Sequence, residues 1–209
     1  MENIVITIAR QYGSGGRTVG KMVAEKLNIP FYDREILRMA SDESGINESL
    51  FNQVDEKLEK NSLFRISKDL YDGKIIPPDS DDYTSTKNLF NFQAKIIKEL
   101  AESESCVIVG RAADFVLKDY ENVMSVFVHA DEKFCLERAM ERNSMTEEEM
   151  LRYMLKRDKF RGDYYKHYTG QEWWDARNYD LCLNSGKLGF EKCMDEILAY
   201  RNIRFDLEK

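Results

Sequence analysis

Short runs of apolar, often β-branched residues alternate along this chain with longer stretches in which apolar residues recur every three or four positions. The short runs predict strands, because they are too brief for helices and carry almost no charge. In chain order they occupy 4–8, 29–33, 106–110, 123–130 and 179–184. Near-continuous apolar strands separated by helices are typical of a parallel sheet covered on both faces. We therefore expect an α/β fold.

Residues that favour helix N-termini precede several of the helical stretches. Asp131 precedes one of them, and Thr146 with Glu149 forms a capping-box pattern. A long amphipathic helix is predicted over about 85–104. The helix that begins near Thr146 carries one aligned stripe of side chains: Met150, Met154, Arg157, Arg161 and Tyr164. A core-facing stripe that becomes cationic favours a lid closing over phosphates, and the alternative is salt bridges to an acidic surface.

Composition and charge exclude several classes of protein. With 43% hydrophobic and 33% charged residues, the chain is typical of a soluble globular protein, and no run approaches the roughly 20 apolar residues of a membrane span. The first ten residues predict a strand and not a signal peptide. Four dispersed cysteines in apolar surroundings favour reduced core thiols, a cytoplasmic location and no structural zinc. The net charge of −7 argues against non-specific nucleic-acid binding.

The segment RQYGSGGRT, residues 10–18, joins the first predicted strand to the first predicted helix. Its three glycines would let phosphate oxygens approach backbone N–H groups, and the helix N-terminus adds partial positive charge. Two hydroxyl groups and two arginines, Arg10 among them, add further donors. The residues expected to hold phosphate are Gly13, Ser14, Gly15, Gly16, Arg17 and Thr18. The alternative is a tight turn that binds no ligand.

This loop lacks the lysine of the phosphate-binding signature G-x-x-x-x-G-K-[ST]. If Gly16 is the second glycine, Arg17 stands at the lysine and Thr18 at the metal-binding hydroxyl. If Gly15 is the second glycine, Gly16 itself stands at the lysine. We expect Arg17 to replace the missing charge, although its shape differs from that of lysine.

Two more polar residues follow predicted strands, where ligands of parallel sheets bind. Arg111 comes directly after the strand at 106–110, and a guanidinium can bind two phosphate oxygens at once. The alternative is a surface arginine at the sheet edge. Asp33 ends the strand at 29–33, where a carboxylate could bind Mg²⁺ or cap the next helix.

Together these segments resemble the cytidylate kinase-like family of P-loop phosphotransferases. ITIARQYGSGGRTVGKMVAEKL is similar to the opening strand, loop and helix of bacterial cytidylate kinases. PFYDREILR, VIVGRAADFVL and VFVHADEKFCLERAMER are similar to later segments of that family, in the same order. The resemblance implies a P-loop NTPase-type parallel sheet covered by helices on both faces, with a helical substrate-binding insertion and a basic lid.

The resemblance also divides the chain and suggests its chemistry. One kinase-like domain, 1–209, would consist of a core (about 1–40, 105–150 and 176–209), an insertion (about 41–104) and a lid (about 155–175). ATP would be the phosphoryl donor, Mg²⁺ the cofactor, and a small nucleotide such as CMP the acceptor. Neither a membrane nor a nucleic acid is an expected partner, and no oligomeric state is indicated.

The family's residue roles transfer position by position. The loop residues would hold the donor phosphates, Thr18 and Asp33 the metal, and Asp33 and Arg111 the acceptor. Arg17, Arg157 and Arg161 would be the catalytic arginines. The family's later lid aspartate and arginine fall on Arg161 and Tyr164 here, which departs from its pattern. Two other hypotheses stay open: a non-catalytic nucleotide sensor, and a kinase for a non-nucleotide metabolite.

Overall fold

The computed structural model describes residues 3–52 and 70–207. Its strands form one parallel sheet in the order β2-β3-β1-β4-β5. The strands are β1 (Val5–Arg10), β2 (Phe31–Tyr32), β3 (Cys106–Val109), β4 (Val123–His129) and β5 (Leu181–Asn184). The predicted parallel sheet is confirmed, although β2 and β5 are shorter than the apolar runs suggested.

The helices connect these strands and cover the sheet. They are α1 (Gly16–Leu27), α2 (Glu35–Ser44), α3 (Thr86–Ser103), α4 (Ala113–Val116), α5 (Glu132–Met140), α6 (Glu147–Thr169), α7 (Ser185–Leu188) and α8 (Phe190–Arg204). Residues 48–52 are also helical, and a 3₁₀ turn spans Ala176–Asn178. None of the helices in the described ranges combines the length and apolar character that crossing a membrane requires.

The sheet separates two hydrophobic cores, because successive side chains of a strand point to opposite faces. In β1, Val5 and Ala9 pack with residues of α2, α3 and α6 on one face. Ile6 and Ile8 pack on the other face with residues of α1 and α8. Both faces of β1 are therefore buried, as its uninterrupted apolar run predicted.

The predicted helix starts are confirmed, with one difference at Asp131. The Thr146 hydroxyl accepts a hydrogen bond from the Glu149 N–H, and the Glu149 carboxylate accepts one from the Thr146 N–H, which completes the capping box at α6. Asp131 occupies the N-cap position of α5, but its side chain makes no capping hydrogen bond. Asp33 does not cap α2, because Arg34 occupies that position.

The part of the predicted insertion that the structure describes is attached to the core through α3. Residues 53–69, which the insertion was predicted to include, lie outside the described residues. Residues 73–80, predicted to be its loosest part, have no helix or strand but are bonded to α3. The buried Asn88 carboxamide accepts a hydrogen bond from the Ile76 N–H at 2.7 Å, and Asn91 Nδ2 donates to the Lys74 carbonyl at 2.6 Å.

Three of the four cysteines are buried, as expected for core thiols: Cys106, Cys135 and Cys193. Cys182 is exposed, contrary to the expectation. Its strand, β5, lies at the edge of the sheet and pairs with β4 alone. An edge strand has only one neighbour, so its side chains are covered less completely.

Candidate active site

The loop between β1 and α1 lies at the carboxyl end of the sheet, where parallel α/β folds bind ligands. Gly13 and Gly15 have φ angles of +79° and +77°, in the left-handed region that glycine adopts without strain. Gly15 is the N-cap of α1, and no side chain caps this helix. The first N–H groups of α1 are therefore available to an anion.

The loop glycines are required by neighbouring elements as well as by the turn. A Cβ atom at Gly13 would lie 2.4 Å from the carbonyl oxygen of Cys135 in α5. One at Gly15 would lie 2.3 Å from the ring of Phe190 in α8. The sequence analysis attributed these glycines to room for phosphate, whereas the structure shows that α5 and α8 pack directly against the loop backbone.

Ser14 is fully buried beneath the loop. Its hydroxyl oxygen lies 2.9 Å from the Gln11 carbonyl and 3.0 Å from the Val128 carbonyl, and its own carbonyl accepts a hydrogen bond from Ser185 at 2.6 Å. The Ser14 side chain thus fastens the loop to β4, and the Ser14 backbone carbonyl fastens it to α7. The hydroxyl therefore has two backbone carbonyls as partners, and its predicted contact with phosphate stays a prediction.

Two cavities open beside the loop. The smaller, of about 200 Å³, follows the loop from Arg10 to Thr18. Its far wall consists of side chains that the sequence analysis did not single out: Arg138, Arg142, Asn143 and Phe190. Arg138 stacks over the Phe190 ring, with its guanidinium carbon 5.2 Å from the ring centre. A cation and an aromatic face at this wall are suited to a nucleotide.

The larger cavity, of about 680 Å³, is strongly cationic. Six arginines from five elements or loops line it. They are Arg34 and all the arginines predicted for the site, which are Arg10, Arg17, Arg111, Arg157 and Arg161. Two aspartates, Asp33 and Asp114, line the same space. Six guanidinium groups against two carboxylates favour an anionic ligand.

Four residues line both cavities and so form their common boundary: Arg10, Tyr12, Arg17 and Arg161. A group bound at this boundary is within reach of both spaces. Three of the four boundary residues carry a positive charge, and positive groups stabilise the charge that develops on a phosphoryl group during transfer.

Arg17 and Asp33 form an ion pair at this boundary. The Arg17 Nε donates to Asp33 Oδ2 at 2.7 Å, and the Arg17 guanidinium carbon lies 5.4 Å from the centre of the Phe31 ring. The other Asp33 oxygen is 4.0 Å from Arg10 Nη2. The Asp33 carboxylate, predicted to hold both metal and acceptor, is therefore already balanced by two arginines.

The site offers few protein ligands for Mg²⁺. No group of three or more His, Cys, Asp or Glu side chains that could hold a metal occurs in the described ranges. Mg²⁺ in phosphoryl-transfer sites usually keeps several waters and takes one or two carboxylates plus substrate phosphates. Thr18, on the wall of the smaller cavity, and Asp33 offer oxygen ligands of that kind.

The basic helix α6 is bonded to the loop. The buried Asp158 carboxylate accepts hydrogen bonds from the Tyr12 N–H at 2.8 Å and from Arg161 Nη1 at 2.9 Å. Arg161 also donates to the Arg10 carbonyl at 3.2 Å and stacks over the Tyr12 ring. Burial raises the pKa of Asp158 and lowers that of Arg161. Asp158 is a further residue that the sequence did not indicate, although it follows Arg157 of the predicted stripe directly.

The C-terminal half of α6 packs into the core. Tyr168 is fully buried and stacks on Phe90 of α3, with ring centres 4.0 Å apart. Trp173, just beyond the helix, is buried and lines the larger cavity, whereas the neighbouring Trp174 is largely exposed. The segment predicted as a lid is thus anchored at its C-terminal end.

Arg111, in the loop after β3, and Arg157, in α6, both line the larger cavity. Gly110, Arg111 and Ala112 have consecutive φ angles of +76°, +62° and +50°. Positive φ is uncommon for residues other than glycine, and such strain concentrates at functional sites. Arg157 lies with its guanidinium carbon 5.6 Å from the Phe160 ring centre. Both residues line the larger cavity, and their acceptor-binding role stays a prediction.

Asp114 is the one acidic side chain of this cavity with a strongly shifted pKa. Its Oδ2 accepts a hydrogen bond of 2.6 Å from the Tyr165 hydroxyl. Burial raises the pKa of Asp114 to about 6. The sequence predicted a role for Arg111 but none for Asp114, because nothing local indicated that α6 would bring Tyr165 to it.

The sheet order, the loop at the end of β1 and the cationic cavities define a P-loop kinase fold. Residues 5–187 match the cytidylate kinase-like family, and the chain belongs to that family. An uncharacterized protein from Eubacterium ventriosum ATCC 27560, whose crystal structure is known, is 31% identical. That match covers 96% of this chain and 99% of the other, with a TM-score of 0.70.

A more distant structural likeness concerns the fold alone. A gluconokinase from Sinorhizobium meliloti 1021 is 18% identical over 99% of this chain and 96% of its own, with a TM-score of 0.50. No curated protein sequence matches this chain.

Proposed function

We propose that this protein transfers the γ-phosphoryl group of ATP to a small anionic acceptor, with a nucleoside monophosphate such as CMP the first to test. The observation that supports this most directly is the common boundary of the two cavities, formed by Arg10, Arg17, Arg161 and Tyr12. A donor in the smaller cavity and an acceptor in the larger one would meet there.

The chemistry needs positioning and charge neutralisation more than a reactive side chain. The acceptor oxygen forms a bond to the γ-phosphorus, the bond from that phosphorus to the bridging oxygen breaks, and ADP leaves with the electron pair. Backbone N–H groups at the start of α1 would bind the donor phosphates, and arginines would balance the charge that develops. Mg²⁺, held by Thr18, Asp33 and the phosphates, would supply further neutralisation when bound.

In the larger cavity, Arg111 and Arg157 would bind the anionic group of the acceptor. Arginine suits this task because its planar fork can bond two oxygens. A kinase for a non-nucleotide metabolite is the second candidate. It is favoured by Asp114, because a carboxylate on the cavity wall would pair with a hydroxyl or amino group of the acceptor.

The test is ADP release from Mg-ATP with CMP, dCMP, UMP and a panel of hydroxylated organic acids, each compared with an acceptor-free reaction. Acceptor-dependent turnover is expected. Replacing Arg157 with alanine should lower kcat/KM for the acceptor by about tenfold to a hundredfold, since one charge-assisted contact is lost.

Lys159→Ala is the matched control. Lys159 lies on the same helix, pairs with Asp163 at the surface and lines neither cavity, so its loss should leave kcat/KM unchanged. ATP binding without turnover on any acceptor would contradict a kinase and favour the nucleotide sensor.

A further inference from the structure

The position of the missing lysine is occupied by the stem of another residue. A Cβ atom added at Gly16 would lie 2.5 Å from the Cβ of Arg10 and 3.2 Å from its Cγ. Long side chains at positions 10 and 16 therefore compete for one space. Only one of the two positions can carry a long side chain while the backbone stays as it is.

In the phosphate-binding signature, the residue types at these two positions are reversed. With Gly15 as the second glycine of G-x-x-x-x-G-K-[ST], the first glycine falls on position 10 and the lysine on position 16. This chain has arginine at 10 and glycine at 16. The cation and the glycine have changed places, and the geometry shows why both changes must occur together.

A second glycine makes room for the far end of Arg10. A Cβ atom at Gly110, where φ is +76°, would lie 2.5 Å from Arg10 Nη1. The Arg10 side chain thus extends from beside Gly16 to the end of β3. This path runs along the boundary between the two cavities, which Arg10 lines on both sides.

The Arg10 side chain is partly buried and weakly balanced. It is 21% exposed, and among the residues that the structure describes its ion-pair partner is Asp33, at 4.0 Å. Within residues 3–52 and 70–207, its N–H groups donate no hydrogen bond to another residue. Burial and the Arg161 charge lower the pKa of Arg10 to about 9, which leaves it protonated at neutral pH. Donors held away from water in this way bind an anion strongly.

Arg17, the residue expected to replace the lysine, has a different setting. Its side chain is 60% exposed, and its Nε is bonded to Asp33 at 2.7 Å. If Arg17 bound phosphate, either its ion pair with Asp33 would break or its Nε would stay bonded to Asp33 and be unavailable to the phosphate. Arg10 is less exposed, and its pair with Asp33 is longer, at 4.0 Å, so it gives up less on binding a phosphate.

We propose that Arg10, and not Arg17, is the cation that binds the donor's terminal phosphates in place of the missing lysine. This inference rests on the proposed function for its assignment to a donor nucleotide. Arg10 would contact the β- and γ-phosphates from below the loop, and its charge would stabilise the bridging oxygen as the bond to the γ-phosphorus breaks.

The test uses two probes, Mg-ATP and inorganic tripolyphosphate, whose affinities are measured by calorimetry. Arg10→Met keeps the stem and removes the charge, and Arg17→Met is the matched variant. Losing a charge-assisted phosphate contact from a buried site should weaken tripolyphosphate binding about thirtyfold or more in Arg10→Met, against less than about fivefold in Arg17→Met. Equal or larger weakening in Arg17→Met would overturn the proposal.

A reciprocal exchange sharpens the test. Gly16→Lys alone should be strongly destabilised by the clash with Arg10. In Arg10→Gly/Gly16→Lys that clash is removed, and the 3.1 Å approach to the Val128 Cβ remains. The double variant should bind tripolyphosphate within about tenfold of the native protein and much better than Arg10→Gly, since a charge returns to the same space. A folded double variant that binds no better than Arg10→Gly would contradict the proposal, and if it fails to fold, the methionine pair decides.

The two probes also separate this inference from the proposed function. Arg10-dependent tripolyphosphate binding without phosphoryl transfer to any acceptor would support the role of Arg10 and remove the kinase. Transfer that persists in Arg10→Met at the native rate would support the kinase and overturn the role of Arg10.

Discussion

The two cavities that meet at Arg10 are assembled in different ways. The smaller follows one continuous stretch, residues 10–18, with α5 and the start of α8 closing over it. The larger draws its walls from the ends of β1 and β3, the loop after β2, α4 and α6. The first is built around the backbone of a single turn, with α5, α6 and α8 completing its wall, and the second consists of side chains that only tertiary packing brings together. A single motif therefore predicts most of the wall of the smaller cavity, whereas the wall of the larger one is predicted only in part, through Arg111 and the basic stripe of α6.

The largest effect should come from breaking the backbone path of the loop. Gly13→Ala places a Cβ at positive φ and 2.4 Å from the Cys135 carbonyl. Strain in the left-handed region and overpacking against α5 should together lower the free energy of unfolding by about 3 kcal/mol. Urea unfolding measures this, and tripolyphosphate affinity should fall with it.

Gly162→Ala provides the matched control. Gly162 lies inside α6, and a Cβ there would meet nothing within 4 Å. The substitution should raise the free energy of unfolding by about 0.5–1 kcal/mol, since alanine is the better helix former. A Gly13→Ala variant as stable as the native protein would show that the loop backbone is not constrained by α5.

The sequence predicted the elements around the loop because their patterns are local. The apolar run of β1, the glycines at 13, 15 and 16 and the capping box at Thr146 each lie within a few residues. The contacts that complete the site are not local. The Asp158 carboxylate meets the Tyr12 N–H across 146 positions of the chain. Likewise, the competition between Arg10 and Gly16 for one space needs the three-dimensional path of the loop.

The acceptor side illustrates the same limit in another way. The parallel sheet and the basic stripe of α6 predicted that arginines would gather at one end of the sheet, and Arg111, Arg157 and Arg161 all line the larger cavity. The stripe did not predict that Asp158 would hold α6 against the loop. It also did not predict the partner of Asp114, because Tyr165 lies outside the aligned positions.

The next largest effect should come from the Asp158 contact, which joins α6 to the loop between β1 and α1. Asp158→Asn keeps the size of the side chain but removes the charge that Arg161 faces, and it weakens the bond to the Tyr12 N–H. Loss of charged hydrogen bonds at a buried site should lower the free energy of unfolding by about 2 kcal/mol. Affinities for tripolyphosphate and for the acceptor should both decrease, because α6 positions residues of both cavities.

Asp163→Asn tests whether this effect belongs to the buried contact. Asp163 pairs with Lys159 on the outer side of the same helix and is 41% exposed. Surface pairs contribute little, so the change in unfolding free energy should stay below about 0.5 kcal/mol. Equal effects of the two substitutions would mean that α6 responds to lost charge in general and is not held by Asp158.

The smallest effect is a pH dependence confined to the larger cavity. The pKa of Asp114 rises to about 6 in the folded protein because the carboxyl is buried, against 3.8 as its ordinary value. The folded state thus holds this proton more tightly than the unfolded state, so stability is lost as the pH rises from about 4 to about 6. Asp114→Asn should remove the loss and raise the free energy of unfolding at pH 7.5 by about 1–2 kcal/mol, a value reduced for the partial exposure of Asp114 to the cavity.

Urea unfolding at pH 4 and at pH 7.5 measures the stability at both ends of this range, and the native protein and Asp114→Asn should differ only at the higher pH. An equal difference at both pH values would assign the effect to packing, and tripolyphosphate binding should be the same in both proteins, because Asp114 lines only the larger cavity.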